Sequence, residues 1–349
     1  EALFRSLGCA AGERLAVSGA VSAHLLRGEG AFALSIARQA LERFRASGSK
    51  RDEASMFADV LVQVHLEQDN AAEAVAAAEE ALALCRGLGD RRLEARMLDI
   101  IAGLHMMREQ HDEGLRVGGD ALGIFVDIGD LRGEAAVCYK LCGLQHMQGD
   151  HREALRLAGR SRELFARAGC RASEISAMFA ESFAQQLLGD FIGARGSADQ
   201  AIAKAQAVGD SRSEASGLLC TVNLHMADPK GADLEAAYET AKRAESVLRQ
   251  AGVGLTESLL AYALQLQAVV CLHLQQLDMA APLAHEAHVL YQRVSDKVGE
   301  AEILRLLVCL DLELLYRDGP DAREDPKLRQ AIGRRQAGAL RNAERCVSI

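Results

Sequence analysis

The chain of 349 residues contains no tryptophan and only four prolines, and aromatic residues make up 4% of it. Scarce β-branched and aromatic side chains disfavour sheets, while abundant Ala and Leu favour helices that so few prolines leave unbroken. The nine cysteines are spread one or two per repeat with no C-x-x-C pair, which favours small buried hydrophobes in a reducing compartment, cytoplasmic first, over a disulfide framework. The closest pair, Cys138 and Cys142, lies on one face of a single helix. No run of 18 apolar residues is present to span a membrane. Basic charge is also lacking: the net charge of −9 speaks against a general nucleic-acid coat. No basic-then-apolar leader opens the chain.

What is present is repetition. The phrase GDRRLEA at Gly89–Ala95 returns as GDLRGEA at Gly129–Ala135 and as GDSRSEA at Gly209–Ala215, with blurred copies at Gly48, Gly169, Gly252 and Ser295. Such a period signals a repeat array. In each copy glycine ends one helix in a left-handed turn, aspartate (Asp90, Asp130, Asp210) caps the next, and a glutamate (Glu94, Glu134, Glu174, Glu214) occupies its first turn, where the helix dipole favours a carboxylate. Phe44, Cys85, Phe125, Phe165, Ala205, Leu248 and Tyr291 each stand four residues before the closing Gly or Ser, placed to cover the turn. A second turn inside each unit is followed by a small residue at Ala33, Ala74, Gly114, Ala154 or Ala194, which lets two antiparallel helices approach closely. Leu3, Phe4 and Leu7 run into Gly8 like the end of a second helix, so the chain is expected to begin in mid-repeat. Pro282 falls where the small residue stands elsewhere, a place read as the first turn of a helix.

The expected units lie near 8–48, 49–89, 90–129, 130–169, 170–209, 210–252, 253–295 and 296–316, within an array over 1–316. A polar loop at 317–326 and a C-terminal capping helix at 327–349 follow. That last helix carries Lys327, Arg329, Arg334, Arg335, Arg341 and Arg345 against Glu344, a local net charge of +5 suited either to solvent or to an anionic partner.

The pattern Gly103-Leu-His with Asp112-Glu-Gly114, and Leu141-Cys-Gly-Leu with Gly149-Asp-His-Arg-Glu-Ala154, resembles the tetratricopeptide repeats in their variant of about forty residues. It is similar to the Leu-Gly-Asn type and to arrays of bacterial regulators, although the asparagine of that type is absent. The resemblance implies an all-α solenoid of stacked antiparallel helix pairs in a right-handed superhelix. It also implies a scaffold or adaptor whose concave groove holds a peptide or helix of another protein, or alternatively a regulatory or sensor module of a larger chain.

Projected on this register, the groove is expected to take Arg96, Asp99, Met106, Met107, Tyr139, His146, Met147, Phe179, Phe183, Gln186, Asn223 and Met226, with Met56, Asp59 and Gln63 from an earlier unit. Met and aromatics suit adaptable peptide surfaces. The competing assignment for the same residues is inter-helix core.

His24, His65, His105, His225 and His273 recur where the family has Tyr, with His146 one residue along. One histidine per repeat makes a ladder with steps of about 10 Å, too wide to converge on one ion. Packing is the first reading and a pH-sensitive groove the second. His285 and His288, three apart on one helix, have no third ligand nominated by the sequence. There is no phosphate loop and no G-x-S-x-G, so no catalytic residue, cofactor, metal or small-molecule substrate is expected, and the chain is read as a non-enzyme.

Overall fold

The computed structural model describes residues 9–68, 70–228, 231–252 and 256–318 together with Leu340 and Asn342, the side chains at 58, 59 and 318 excepted. The basic segment, apart from those two residues, therefore lies outside the described part. The described residues contain no strand. The helices are α1 (Ala10–Leu26), α2 (Gly30–Ser47), α3 (Lys50–Met56, a π-helical turn Phe57–Leu61, then Val62–Glu67), α4 (Ala71–Leu88), α5 (Arg91–Met107), α6 (His111–Asp127), α7 (Leu131–Gln148) and α8 (His151–Arg167). They continue as α9 (Arg171–Leu187), α10 (Phe191–Val208), α11 (Ser211–Ala227), α12 (Leu234–Ala251), α13 (Glu257–His273), α14 (Leu277–Arg293) and α15 (Lys297–Asp318). By their contacts they fall into two units, Glu1–Ala180 and Glu181–Ile349. Within each unit successive helices pack on one another, and first helices also touch the first helix of the next hairpin, as α5 touches α7 and α11 touches α13.

The punctuation works as its chemistry dictates. Gly48, Gly89, Gly149 and Gly209 close helices at φ of 67° to 84°, and the side chains of Asp90, Asp130, Asp150, Asp190, Asp210 and Asp233 accept a backbone N–H three residues on. The first-turn glutamates are more than dipole partners. Glu13, Glu53, Glu94, Glu134, Glu174 and Glu300 are buried, and several meet an arginine from a second helix: Arg43 to Glu13 at 3.1 Å, Arg45 to Glu53 at 2.7 Å, Arg86 to Glu94 at 3.1 Å and Arg160 to Glu134 at 2.6 Å. Burial pushes the Glu53 carboxyl up, but hydrogen bonds from Arg45 and Lys50 outweigh it and hold the group below its ordinary range.

The core repeats too. Ala33, Ala74, Ala154 and Ala194 are buried at the hairpin crossings, and a Cβ on Gly114 would stand 3.2 Å from Leu144. The seven turn-covering residues, Phe44 to Tyr291, are all buried. Phe125 and Tyr291 lie so close over the next helix that a Cβ on Gly133 or Gly299 would come within 2.3 Å of the ring.

Gly89, Gly129, Gly169 and Gly209 are spaced 40 apart, but Gly48 to Gly89 is 41. The surplus residue is taken up by the π-helical turn of α3, which widens one turn by one residue. His65 and Ala74 thereby keep the posts that His24 and Ala33 hold one repeat earlier.

Three expectations are corrected. Met56 is fully buried, because the eighth residue after each closing glycine faces the hairpin interior, as Met97 and Val137 do. Pro282 is the sixth residue of α14, beyond its first turn, since the helix starts at Leu277; the ring removes one hydrogen bond there. α15 runs to Asp318, so Arg317 and Asp318 are helical where a loop was expected, and Arg317 reaches back to Asp278 at 2.9 Å.

Four of the eight described cysteines, Cys85, Cys138, Cys142 and Cys271, are buried thiols, two are partly buried, and Cys9 and Cys309 are exposed. Burial pushes the thiols of Cys138 and Cys142 up to about 11.

Candidate partner-binding surface

Side chains seven, ten, fourteen, seventeen and eighteen residues after a closing glycine share one face of each first helix, following the 3.6-residue period. None of the twelve expected groove residues from Arg96 to Met226 is fully buried. In unit 1, Met107 is 63% exposed, Met147 57% and Tyr139 43%, while Met106, His146 and Phe179 are half-buried. Met106 lies across the next helix, its Sδ 3.9 Å from where a Cβ on Gly143 would stand. Asp99 is not available as a lone charge: Lys140 Nζ donates to its carboxylate and its backbone carbonyl, both at 2.6 Å. Arg96 and Gln63 are exposed. The side chain of Asp59 lies outside the described residues.

Unit 2 holds a cavity of about 450 Å³ on this face, and three expected residues line it: Phe183 and Gln186 on α9 and Asn223 on α11. Phe183 is 47% exposed. Ser216, Leu219 and Cys220 of α11 and Leu259 and Tyr262 of α13 complete the lining. These five were not singled out from the sequence. Ser216 and Leu219 stand seven and ten residues after Gly209, and Leu259 and Tyr262 the same distances after Gly252, so extending the register past Phe183 would have found them. Asn223 Nδ2 donates to Tyr262 Oη at 3.2 Å, tying α11 to α13 across the floor. Ser182, buried beneath, donates to the Ala194 carbonyl at 2.7 Å and lies 3.8 Å from Cys220 Sγ. Met226 is half-buried against the hydrophobic core and does not line the cavity.

No Asp, Glu, Lys, Arg or His lines this cavity. Cys220 is its one acidic thiol, and burial raises its pKa, so it stays protonated near neutrality. A second cavity in unit 2, about 400 Å³, has the opposite character, with Asp190, Asp199, Asp228 and Arg195 around it. There Asp190 caps α10 and Arg195 lies 3.9 Å from Asp228, so part of its charge is already engaged. Among the described residues no group of three His, Cys, Asp or Glu is arranged to hold a metal ion, and no helix is long and apolar enough to cross a membrane.

The ladder histidines divide by their partners: His24 and His105 staple a turn, and His273 bonds back within its own helix. His24 Nδ1 meets Glu29 Oε2 at 2.6 Å, His105 Nδ1 meets Gln110 Oε1 at 2.8 Å, and His273 Nδ1 meets the Val269 carbonyl at 2.8 Å. His65 and His225 instead bury an Nδ1 without a hydrogen-bond partner among the described residues, and burial lowers both pKa values. His288 of the His285–His288 pair approaches Glu300 at 3.6 Å.

No protein-family model matches the chain, and no curated protein matches it by sequence. Solved structures do. The apo form of RapI is 13% identical with a TM-score of 0.60, covering 81% of this chain and 99% of that one. A signal-transduction ATPase with numerous domains and a tetratricopeptide repeat sensor, PH0952 from Pyrococcus horikoshii, is 14% identical with a TM-score of 0.60. That match covers 82% of this chain but 44% of the ATPase. A Rap protein complexed with competence and sporulation factor is 13% identical with a TM-score of 0.50, covering 87% of this chain and 99% of that one. This likeness in fold, together with the chain's own glycine-closed hairpins and small residues at the crossings, identifies its fold as the tetratricopeptide-repeat type.

Proposed function

We propose that the chain is a non-enzymatic interaction module that binds an apolar, uncharged segment of another protein on the exposed face of its first helices. The observation that carries this reading is the cavity of α9, α11 and α13, which is uncharged, largely apolar and rimmed by amides and hydroxyls. A site of that volume takes one or two large side chains, while Gln186, Ser216 and Asn223 offer hydrogen bonds to a passing backbone. An amphipathic helix or an extended segment would use the same anchors. The Rap protein solved with competence and sporulation factor supports the reading as a structural likeness. The partial coverage of the ATPase with a repeat sensor supports a second role, as a regulatory module within a longer chain.

Selection of peptides from a random display library tests the proposal. The wild-type chain is expected to enrich uncharged sequences with one or two large apolar residues. Phe183→Glu places a charge in the cavity without opening the core and is expected to abolish that enrichment while the helical circular-dichroism spectrum persists. Absence of enrichment, or enrichment that survives Phe183→Glu, would overturn it.

A further inference from the structure

The histidine that breaks the ladder's register has a different neighbour from the rest. In two of the three earlier hairpins the ladder histidine meets an oxygen acceptor five residues on, Glu29 for His24 and Gln110 for His105. In the hairpin of α7 and α8 the histidine stands one place later, at His146, and the residue five on is His151. The two Nδ1 atoms face each other at 3.3 Å, with ring centroids 5.5 Å apart and planes inclined by 45°. Metal–nitrogen bonds of about 2.0–2.1 Å at a tetrahedral angle put two ligand nitrogens about 3.3–3.4 Å apart. The separation therefore matches one edge of such a tetrahedron.

We propose that His146 and His151 chelate one divalent ion of the zinc class through their Nδ1 atoms, bracing the α7–α8 turn. Imidazole pairs suit Zn²⁺, Ni²⁺ and Cu²⁺ and not Mg²⁺ or Ca²⁺. No third protein ligand completes the site among the described residues, so two positions fall to water or to a side chain of a bound partner, and the affinity is well below that of a closed structural zinc site. Met147, the next residue, is exposed on the face described above, which sets the ion at the margin of that face. The competing occupant is a single proton shared between the rings, a staple and nothing more.

Calorimetric titration of ZnCl₂ into the chelator-treated full chain at pH 7.5 separates the two. The control is His151→Gln, which recreates the His105–Gln110 staple of the preceding hairpin and so keeps the turn. The wild type is expected to bind one Zn²⁺ at this site and to melt at a higher temperature with zinc than without. His151→Gln is expected to weaken that binding by about tenfold or more, in line with the loss of one ligand of two, with the metal-free melting temperature unchanged. The chain has eight other histidines and nine cysteines, so the difference between the two isotherms is the measure of the site. Identical isotherms, or no saturable heat in the wild type, would leave only the shared proton. Should His151→Gln melt early without metal, imidazole ¹H–¹⁵N spectra of the wild type decide: zinc must shift the Nδ1 resonances of both His146 and His151, and shifts confined to other histidines overturn the proposal.

Discussion

At the residue scale the array depends on a few atoms per turn. Where glycine is missing, the chain forces Glu109, Gln275 and Ser295 into the left-handed region at φ of 57° to 59°. Side chains with a Cβ resist that conformation, so Glu109→Gly and Gln275→Gly should each stabilise the fold by about 0.5–1 kcal/mol, read as a higher urea midpoint. Asp130→Ala and Asp210→Ala should each cost about 1 kcal/mol by removing a cap. Glu134→Ala should cost more, about 2 kcal/mol, because it strands Arg160 beside a buried position; partial exposure of Arg160 keeps the loss below that of a fully buried pair. The caps were legible in the sequence, since an N-cap and the N–H it accepts lie within four consecutive residues. The more distant partners of the glutamates were not: Arg160 lies 26 residues from Glu134 and Arg43 lies 30 from Glu13, and nothing local links either pair. Met56 was misplaced because this unit starts deeper in the stack: Ser55, seven residues after Gly48, is buried as well as Met56, whereas Arg96 at the same offset in the next unit is exposed.

At the element scale the informative helix is α3. Its π-helical turn holds a residue that the repeats between Gly89 and Gly209 do not have. Deleting residue 58 should therefore leave a regular α-helix in register with its neighbours, and the melting temperature should change little. Deleting Ile100 from α5, which has no such surplus, should shift every later side chain of that helix by one position and cost several degrees or the cooperative transition itself. Differential scanning calorimetry of the two deletions makes the comparison. The hairpins and their crossings were legible because small residues and turn residues recur at fixed intervals. The cavity of α9, α11 and α13 was half legible: Phe183, Gln186 and Asn223 followed from the register, while Leu259 and Tyr262 are reached only by restarting the count at Gly252, because the unit from Gly209 to Gly252 spans 43 residues and not 40.

At the scale of the whole molecule, stability should fall on the acid side of neutrality. His65, His146 and His225 have pKa values lowered from 6.5, burial being the largest cause in each and Arg195 adding to it at His225. A group with a lower pKa folded than unfolded binds more protons in the unfolded state, so its contribution is lost as pH falls from about 6.5 through the folded value. Glu53, Asp130 and Asp210, also held below their ordinary values, should add a second loss below about pH 4.5. Melting temperatures should thus be level between pH 7 and 8 and decline below about 6.5; a flat profile down to pH 5 would show that the three rings are not desolvated. His105 and His24, bonded across their turns, were expected as packing residues and serve as staples; only coordinates could separate them from the two that bury a bare nitrogen.

The π-helical turn also bears on how such a chain changes with time. An inserted residue in a sheet or a long continuous coiled coil displaces everything after it, because side-chain direction is carried forward by counting. Here the surplus is cancelled within the helix that received it, and Ala74 stands where Ala33 stood. Errors of length stay local and the phase of later hairpins survives them. The stack of hairpins therefore depends on each unit closing correctly and not on all units having one length.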